Sequence, residues 1–589
     1  EIDNPLDYYP DRNWEKIYHD QFHYDSTFHF LCAPNDTHNC LLRAYVKNGV
    51  ITRIGPSYGY GKAKDVYGNQ ASHRWDPRLC QKGLAMVRKV YGPRRVKYPS
   101  VRKGFLAWRD AGFPRNPNGS IPGEYLNRGK EPFVRVSFEE ASQIVAQAML
   151  NIATTYSGDK GKELLNAQGY DEAMVEATKG AGTQVLKFRG GMPLLGATRL
   201  FGFYRFANSA ALLDEKIRGV GKDNALGARA WDNYSWHTDL PPGHPMVCGQ
   251  QTIDFDLATV ENCKIAICWG MNWIATKMPD AHWLSEAKVK GTRVITIACE
   301  YQATSHKAEE VILIRPGSDT ALALGIANII IGEKLYDDEF VKGQTDLPLL
   351  VRMDTLKLLK PQDIIKDYQP EELKNTHVLK EGEKPAPPIK QNLQVVTEKL
   401  RKEWSDFVAW DVKKNEALII SRDDYGAVKD FALDGEFEVN TVDGKKVKVR
   451  TVFSLMKEHA THFTPEVVSD ICHISKEAVT NLAREISANK SKVLIAVGMG
   501  PTPFFNNDLK DRAIFLVCAL TKNIGYFGGN IGSFAGNYRG AYFNGLPTYI
   551  TEDPFDIELD PQKPVRVKSY YKMESAHYYN YGDSPLRVG

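Results

Sequence analysis

Three observations predict an α/β fold built on a parallel sheet. The runs CKIAICWGMN from Cys263 and SKVLIAVGMG from Ser491 are apolar almost throughout and end in glycine, at Gly270 and at Gly498 and Gly500. Continuous rather than alternating apolar residues mark strands covered on both faces. After the first run the chain alternates strand and helix: AHWLSEAKVKG reads as helix, TRVITIACEY as a second strand, and EEVILIRPGSDTALALGIANIII as a third strand and helix, joined at Pro316, Gly317 and Asp319. Such alternation gathers loops at the strand carboxyl ends, where ligands bind. A second crevice of nucleotide-binding type is expected at Gly498 to Thr502.

Taken in order, residues 1–25 (DNPLDYYPDRNWEKIYHDQF) read as a polar and aromatic arm, wrapping a neighbour or simply extending the surface. The next stretch holds three of the nine cysteines: Cys32 and Cys40 flank Asp36 at intervals of three residues, and Cys80 follows in WDPRLCQKG. Three thiolates and a carboxylate suit an iron–sulfur cubane with one distant ligand. Tetrahedral zinc is the rival, and three small buried residues with a turn aspartate the plain alternative. RAYVKNGVITRIG alternates around Asn48 and Gly49 and predicts a β-hairpin. RVKYPSVRKGF, with its run of basic residues, reads as a solvated face or a surface for an anionic cofactor.

SFEEASQIVAQAMLNIATTY carries a Ser-x-x-Glu capping box and helical apolar spacing. TQVLKFRGGMPLLG predicts a strand ending in glycines, FYRFANSAALLDEKIR a helix, and NYSWHTDLPPGHP a loop too distinctive for a connector. LKEGEKPAPPIK and FEVNTVDGKKVKV, within residues 370–450, suggest an insertion with short polar hairpins, and TPEVVSDICHISKEAVTNLAREI returns to helix.

At 589 residues the chain has room for about three or four domains. Hydrophobic residues make up 43% and charged residues 25%, and a net charge of +3 gives no footprint for nucleic acid or a membrane surface. The longest apolar runs, IFLVCAL from Ile514 and LALGIANIII from Leu322, fall short of the roughly 20 residues a membrane span needs. An odd number of cysteines without small-scaffold spacing argues against a disulfide framework. The chain opens on Glu1 without a leader pattern and breaks off at Gly589, so a removed export signal and a continuing natural chain are both expected.

The four-ligand site, the two glycine-ended strands and the PGSD junction, in this order, resemble the molybdopterin oxidoreductases of the dimethyl sulfoxide reductase family. The resemblance implies an α/β multi-domain fold with an N-terminal iron–sulfur domain and two Rossmann-like domains, one inserted in the other. The implied parts are an arm (1–25), a [4Fe-4S] domain (26–110) and the first part of the molybdopterin domain (111–260). An inserted Rossmann-like domain (261–480, with its own insertion near 370–450) and a return to the first molybdopterin domain (481–589) follow. Within the family the chain is similar to the nitrate reductase branch. It departs from the membrane-bound respiratory enzymes, which have His and Cys at the positions of Cys32 and Asp36. CAPNDTHNC, RGGMPLLGATRLFGFYRFANSAALLD, NYSWHTDLPPGHP and TEDPFDIELDP look instead like the catalytic alpha subunit of nitrite oxidoreductases from nitrite-oxidising and anammox bacteria, which are about twice this length.

What this resemblance implies is residue-specific. Cys32, Asp36, Cys40 and Cys80 would hold one [4Fe-4S] cluster, with His29 or His38 able to stand in for Asp36. Asp239 would bind molybdenum, Asn35 would orient substrate, and Lys82 would bridge cluster and pterin. Gly270, Asn272, Glu300, Pro316, Gly317 and Asp319 would contact one molybdopterin guanine dinucleotide, and Gly498, Gly500 and Thr502 the second. Glycines would let backbone N–H groups approach a pyrophosphate, and Asp319 would accept from a guanine edge. His237 and His244 flank Asp239, as structural residues sooner than proton shuttles. The expected activity is nitrite oxidation to nitrate. Nitrate or other oxyanion reduction is the alternative within the family, and a molybdenum-free iron–sulfur electron-transfer subunit the alternative of another class. Expected partners are an iron–sulfur beta subunit and a haem-bearing gamma subunit, on the exported side of a membrane (periplasm or anammoxosome lumen), with a cytoplasmic site as the other option.

Overall fold

The computed structural model describes residues 13–32, 40–57, 79–177, 179–190, 205–232, 243–248, 257–383, 394–426, 430–505 and 507–533. The described residues up to Trp236 form one compact unit and those from His237 to Asn537 another.

In the first unit, β1 (Ser26–Cys32), β2 (Cys40–Lys47) and β3 (Val50–Pro56) form an antiparallel sheet. The β2–β3 turn is the expected Asn-Gly turn: Asn48 and Gly49 both have positive φ, 50° and 76°. That is the backbone twist a two-residue hairpin needs. Alternation puts Leu42 and Ala44, both 0% exposed, on one face of the sheet with Cys32 and Cys40, and His29 and Arg43 on the other. The short helix α1 (Gln81–Leu84) packs on the first face, where Gly83 lets Leu42 approach: a Cβ at Gly83 would lie 3.2 Å from Leu42 Cδ1. The N-cap half of the expected capping box is present. Ser137 Oγ accepts from the N–H of Glu140 (3.0 Å) and starts α2 (Phe138–Thr155). The strand expected near TQVLKFRGG is β4 (Lys187–Gly190), paired in parallel with β5 (Arg229–Asp232).

The second unit begins with α3 (Gly243–Cys248) and is organised by a five-stranded parallel sheet. Its strands are β6 (Ile265–Trp269), β7 (Arg293–Ala298), β8 (Glu310–Leu313), β11 (Val493–Val497) and β12 (Asn530–Ser533), in the spatial order β8-β7-β6-β11-β12. Every residue of β6 and β11 is buried, as their unbroken apolar runs require. Helix α4 (Asp319–Gly332) is the core helix of this unit, with Leu322, Ile326, Ala327 and Ile330 all 0% exposed. It packs against α5 (Pro465–Cys472) and α6 (Asn507–Leu520). FEVNTVDGKKVKV is the antiparallel pair β9 (Glu436–Asn440) and β10 (Lys446–Thr451), and it has a small apolar core of its own around Trp410, Val439 and Val449.

β11 pairs with β6 and β12 with β11, so residues 493–533 continue the sheet that β6 starts, and the two glycine-ended strands are neighbours whose carboxyl ends lie at one edge. An apolar five-residue strand has the same pattern whichever neighbour it pairs with, so the sequence left this undecided.

Candidate functional site

The order β8-β7-β6-β11-β12 numbers the strands 3-2-1-4-5 along the chain, a doubly wound arrangement whose topological switch point lies between β6 and β11. Ligands of open α/β sheets bind in the crevice outside the carboxyl ends there. Gly270 and Asn272 follow β6, Glu300 follows β7, Pro316, Gly317 and Asp319 follow β8, and Gly498, Gly500 and Thr502 follow β11. Residues more than two hundred positions apart thus meet at one edge.

The glycines act differently from the expectation. Gly270 N–H donates to Ile297 O (2.7 Å), Gly498 N–H to Trp269 O (2.8 Å) and Gly500 N–H to Gly270 O (3.2 Å), so these amides are used within the protein. A Cβ at Gly498 would lie 2.2 Å from Gly270 O, and one at Gly270, where φ is +61°, 2.2 Å from Pro501 Cδ. The missing side chains let two strand ends cross backbone to backbone. Gly317 (φ +80°) fills the third position of a turn closed by Ser318 N–H to Arg315 O (3.2 Å), with Pro316 before it. Phe504 reaches over this turn, so residues 501–504 run between Gly270 and Gly317.

The polar groups at this edge fall into two sets. Asp319 is buried: its Oδ1 accepts from Trp269 Nε1 (2.7 Å), which ties α4 to β6. Burial pushes its carboxyl above the usual carboxylate range, against the opposing pull of the indole and of Lys510. Its geometry is that of a strut. Asn272 Oδ1 accepts from the N–H (3.2 Å) and hydroxyl (3.0 Å) of Thr304, leaving the half-buried Nδ2 as a donor. Glu300 and Arg315 are exposed at the ends of β7 and β8. A donor amide, a carboxylate and a guanidinium at a switch point fit the base, ribose and phosphates of a nucleotide. Arg315 was missed in the sequence, where it reads as the last residue of an apolar strand.

Three thiols lie on one side of the first unit's sheet. Cys32 and Cys40 are register partners at the open end of β1–β2, and Cys80 is the residue before α1, the helix packed on the same face. Burial and the neighbouring Cys80 push the Cys32 thiol up to about 11, and Lys89 acts the other way. A thiol held that high stays protonated at neutral pH until a metal cation displaces the proton. Among the described residues no set of three or more His, Cys, Asp or Glu side chains is close enough to hold a metal ion. A cubane asks less, because each ligand binds its own iron. His29 belongs to the opposite face: its Nδ1 is 2.8 Å from Ser57 Oγ, and partial burial with Arg43 beside it lowers its pKa. Lys82 lies on α1, exposed. Asn35, Asp36, His38, His237 and Asp239 lie outside the described residues, and of His244 only the backbone, at the start of α3, is described.

Comparison with known proteins bears on the whole arrangement. The family model described as molybdopterin oxidoreductase matches residues 223–587. The chain is 28% identical to the respiratory nitrate reductase subunit alpha of Haloferax mediterranei over 93% of its own length and 47% of that protein. It is 28% identical to the perchlorate reductase subunit alpha of Dechloromonas aromatica over 90% of its length and 49% of that protein. Among solved structures, acetylene hydratase from Pelobacter acetylenicus gives a TM-score of 0.43 at 14% identity, over 84% of this chain and 43% of that one. The chain spans about half the length of the curated relatives it matches. With a doubly wound sheet whose polar edge fits a nucleotide, and a family match over more than half of its residues, the chain belongs to the molybdopterin oxidoreductase family.

Proposed function

We propose that this chain carries the catalytic centre of a molybdenum-dependent oxidoreductase of nitrogen oxyanions, working from nitrite to nitrate. The observation that carries the reading is the strand order that brings the loops bearing Asn272, Glu300 and Arg315 to one sheet edge, in a family whose cofactor is a molybdenum–pterin. The substrate class is supported by relatives named for nitrate and perchlorate, both oxyanions. The choice of nitrite rests on Asp36 within CAPNDTHNC and on the likeness of RGGMPLLGATRLFGFYRFANSAALLD, NYSWHTDLPPGHP and TEDPFDIELDP to nitrite oxidoreductases. Nitrate reduction is the second reading, favoured by the likeness to the Haloferax mediterranei subunit.

When bound, the molybdenum bis(molybdopterin guanine dinucleotide) supplies two-electron oxygen-atom exchange, by which nitrite and water give nitrate, two protons and two electrons. In this reading Asp239 is its protein ligand, a hard carboxylate stiffened by Pro241 and Pro242. Asn35 orients the oxyanion by hydrogen bonding. Asn272, Glu300 and Arg315 hold a nucleotide end, while Gly270, Pro316, Gly317, Gly498, Gly500 and Thr502 shape the edge on which it lies. Cys32, Asp36, Cys40 and Cys80 hold a [4Fe-4S] cluster, with the Lys82 ammonium beside the last ligand. An iron–sulfur beta subunit and a haem-bearing gamma subunit would take the electrons onward, on the exported side of a membrane. No helix among the described residues is long and apolar enough to cross one.

The test is metal analysis of the purified holoenzyme, followed by assays in both directions with dyes of matched potential. Molybdenum together with iron, and dye reduction that depends on nitrite, are expected. Dye oxidation by nitrate with no nitrite-dependent reduction would select the second reading. Iron without molybdenum would make the chain an electron-transfer subunit.

A further inference from the structure

Helix α6 carries two charged side chains that the roles above do not use. Lys510 and Asp511 are 1% and 0% exposed and form an ion pair. Asp511 Oδ2 accepts the N–H of Gly243 (3.1 Å), the first residue of α3. The approach is close enough that a Cβ at Gly243 would lie 2.2 Å from Asp508 O and 2.7 Å from Asp511 Cβ. In the other direction Lys510 is near enough to Asp319 for its charge to favour the carboxylate that Trp269 also holds. A buried ion pair loses more hydration than an apolar pair of the same shape, and its best-attested use is to fix register.

We propose that the Lys510–Asp511 pair is a positioning device: it pins Gly243, four residues after Asp239 in the sequence, to the helix that follows β11. Four residues of extended chain reach at most about 14 Å, so a fixed Gly243 bounds where the Asp239 carboxylate can stand. Asp511 acts through the Gly243 N–H, which makes it a positioning residue. The inference rests on the reading of Asp239 as the molybdenum ligand.

Two neutral double variants of the holoenzyme isolate the hydrogen bond. Lys510→Met with Asp511→Asn keeps an acceptor for Gly243, and Lys510→Met with Asp511→Leu removes it at the same charge and with the same branched shape. Hydrogen exchange of the 243–248 amides should be three- to tenfold faster in the Leu version, the factor expected from one lost hydrogen bond, with β6 and β11 protected equally in both. The Mo(V) electron paramagnetic resonance signal should shift in the Leu version and not in the Asn version. Gly243→Ala, which forces the same anchor apart without touching either charge, should reproduce both effects if the Leu version does not accumulate. Equal exchange at 243–248, or identical Mo(V) signals, would overturn the positioning role. A wild-type holoenzyme without molybdenum overturns the reading it rests on, and the exchange comparison reports on the anchor without any metal.

Discussion

The bond from Trp269 to Asp319 is where a single atom decides most at the crevice. Replacing Trp269 by Phe keeps an aromatic ring, trims part of the buried indole and removes the Nε1 donor, leaving a buried carboxylate without the partner it now has. A lost bond of this kind costs about 1–3 kcal/mol at pH 7. Asp319 has a folded pKa above its ordinary value, so the stability tied to its proton is fully present below the unfolded carboxylate range and is lost as pH rises through the folded value. Without the indole that folded value rises further. The gap between Trp269→Phe and wild type should therefore open as pH rises above the ordinary carboxylate range, read from urea melts followed by far-ultraviolet circular dichroism. A constant gap would assign the loss to packing. At this scale the sequence was only partly legible. Asp319 was visible as the first residue of a helix, but nothing local distinguishes a ligand acceptor from a buried strut. Lys510 left a clearer trace, because it lies four residues before Ile514 and eight before Cys518, on the apolar stripe of α6 where a surface lysine does not belong.

Among the elements, α4 is apolar on every side, and LALGIANIII announces this without help from the fold. Ile326 and Ile330 are each 0% exposed between the parallel sheet and the helices packed on α4. Ile326→Ala should cost about 2–5 kcal/mol through lost burial and the cavity left behind. Phe138→Ala, at the 80% exposed first position of α2, should stay within about 0.5 kcal/mol. Urea midpoints measured side by side check both, and a small loss at Ile326 would mean that the core collapses around the cavity. Helices, the hairpin turn and the Ser137 N-cap were readable because propensity, cap and apolar period are local. Strand neighbours were not. β6 and β11 are both uniformly apolar and stand over two hundred residues apart, so the sequence offered two glycine-ended strands and no means of telling one crevice from two.

For the second unit as a whole, a shared crevice has a consequence that separate crevices do not. The loops after β6, β7, β8 and β11 come from four stretches of chain, and a cofactor at the switch point would touch several of them at once. A ligand that binds only the folded state stabilises whatever it contacts, and local opening reports this segment by segment. Protein made in a host unable to synthesise the pterin should therefore lose exchange protection together at residues 270–273, 300–304, 315–318 and 499–504. The β9–β10 pair, with its own core around Trp410 and Val439, should exchange as in the loaded protein. Protection lost at 499–504 alone would return the chain to two crevices and remove Asn272, Glu300 and Arg315 from the nucleotide site. Loss spread evenly over β9–β10 as well would instead make the cofactor a requirement for folding the entire unit, with the strand order serving stability before it serves binding.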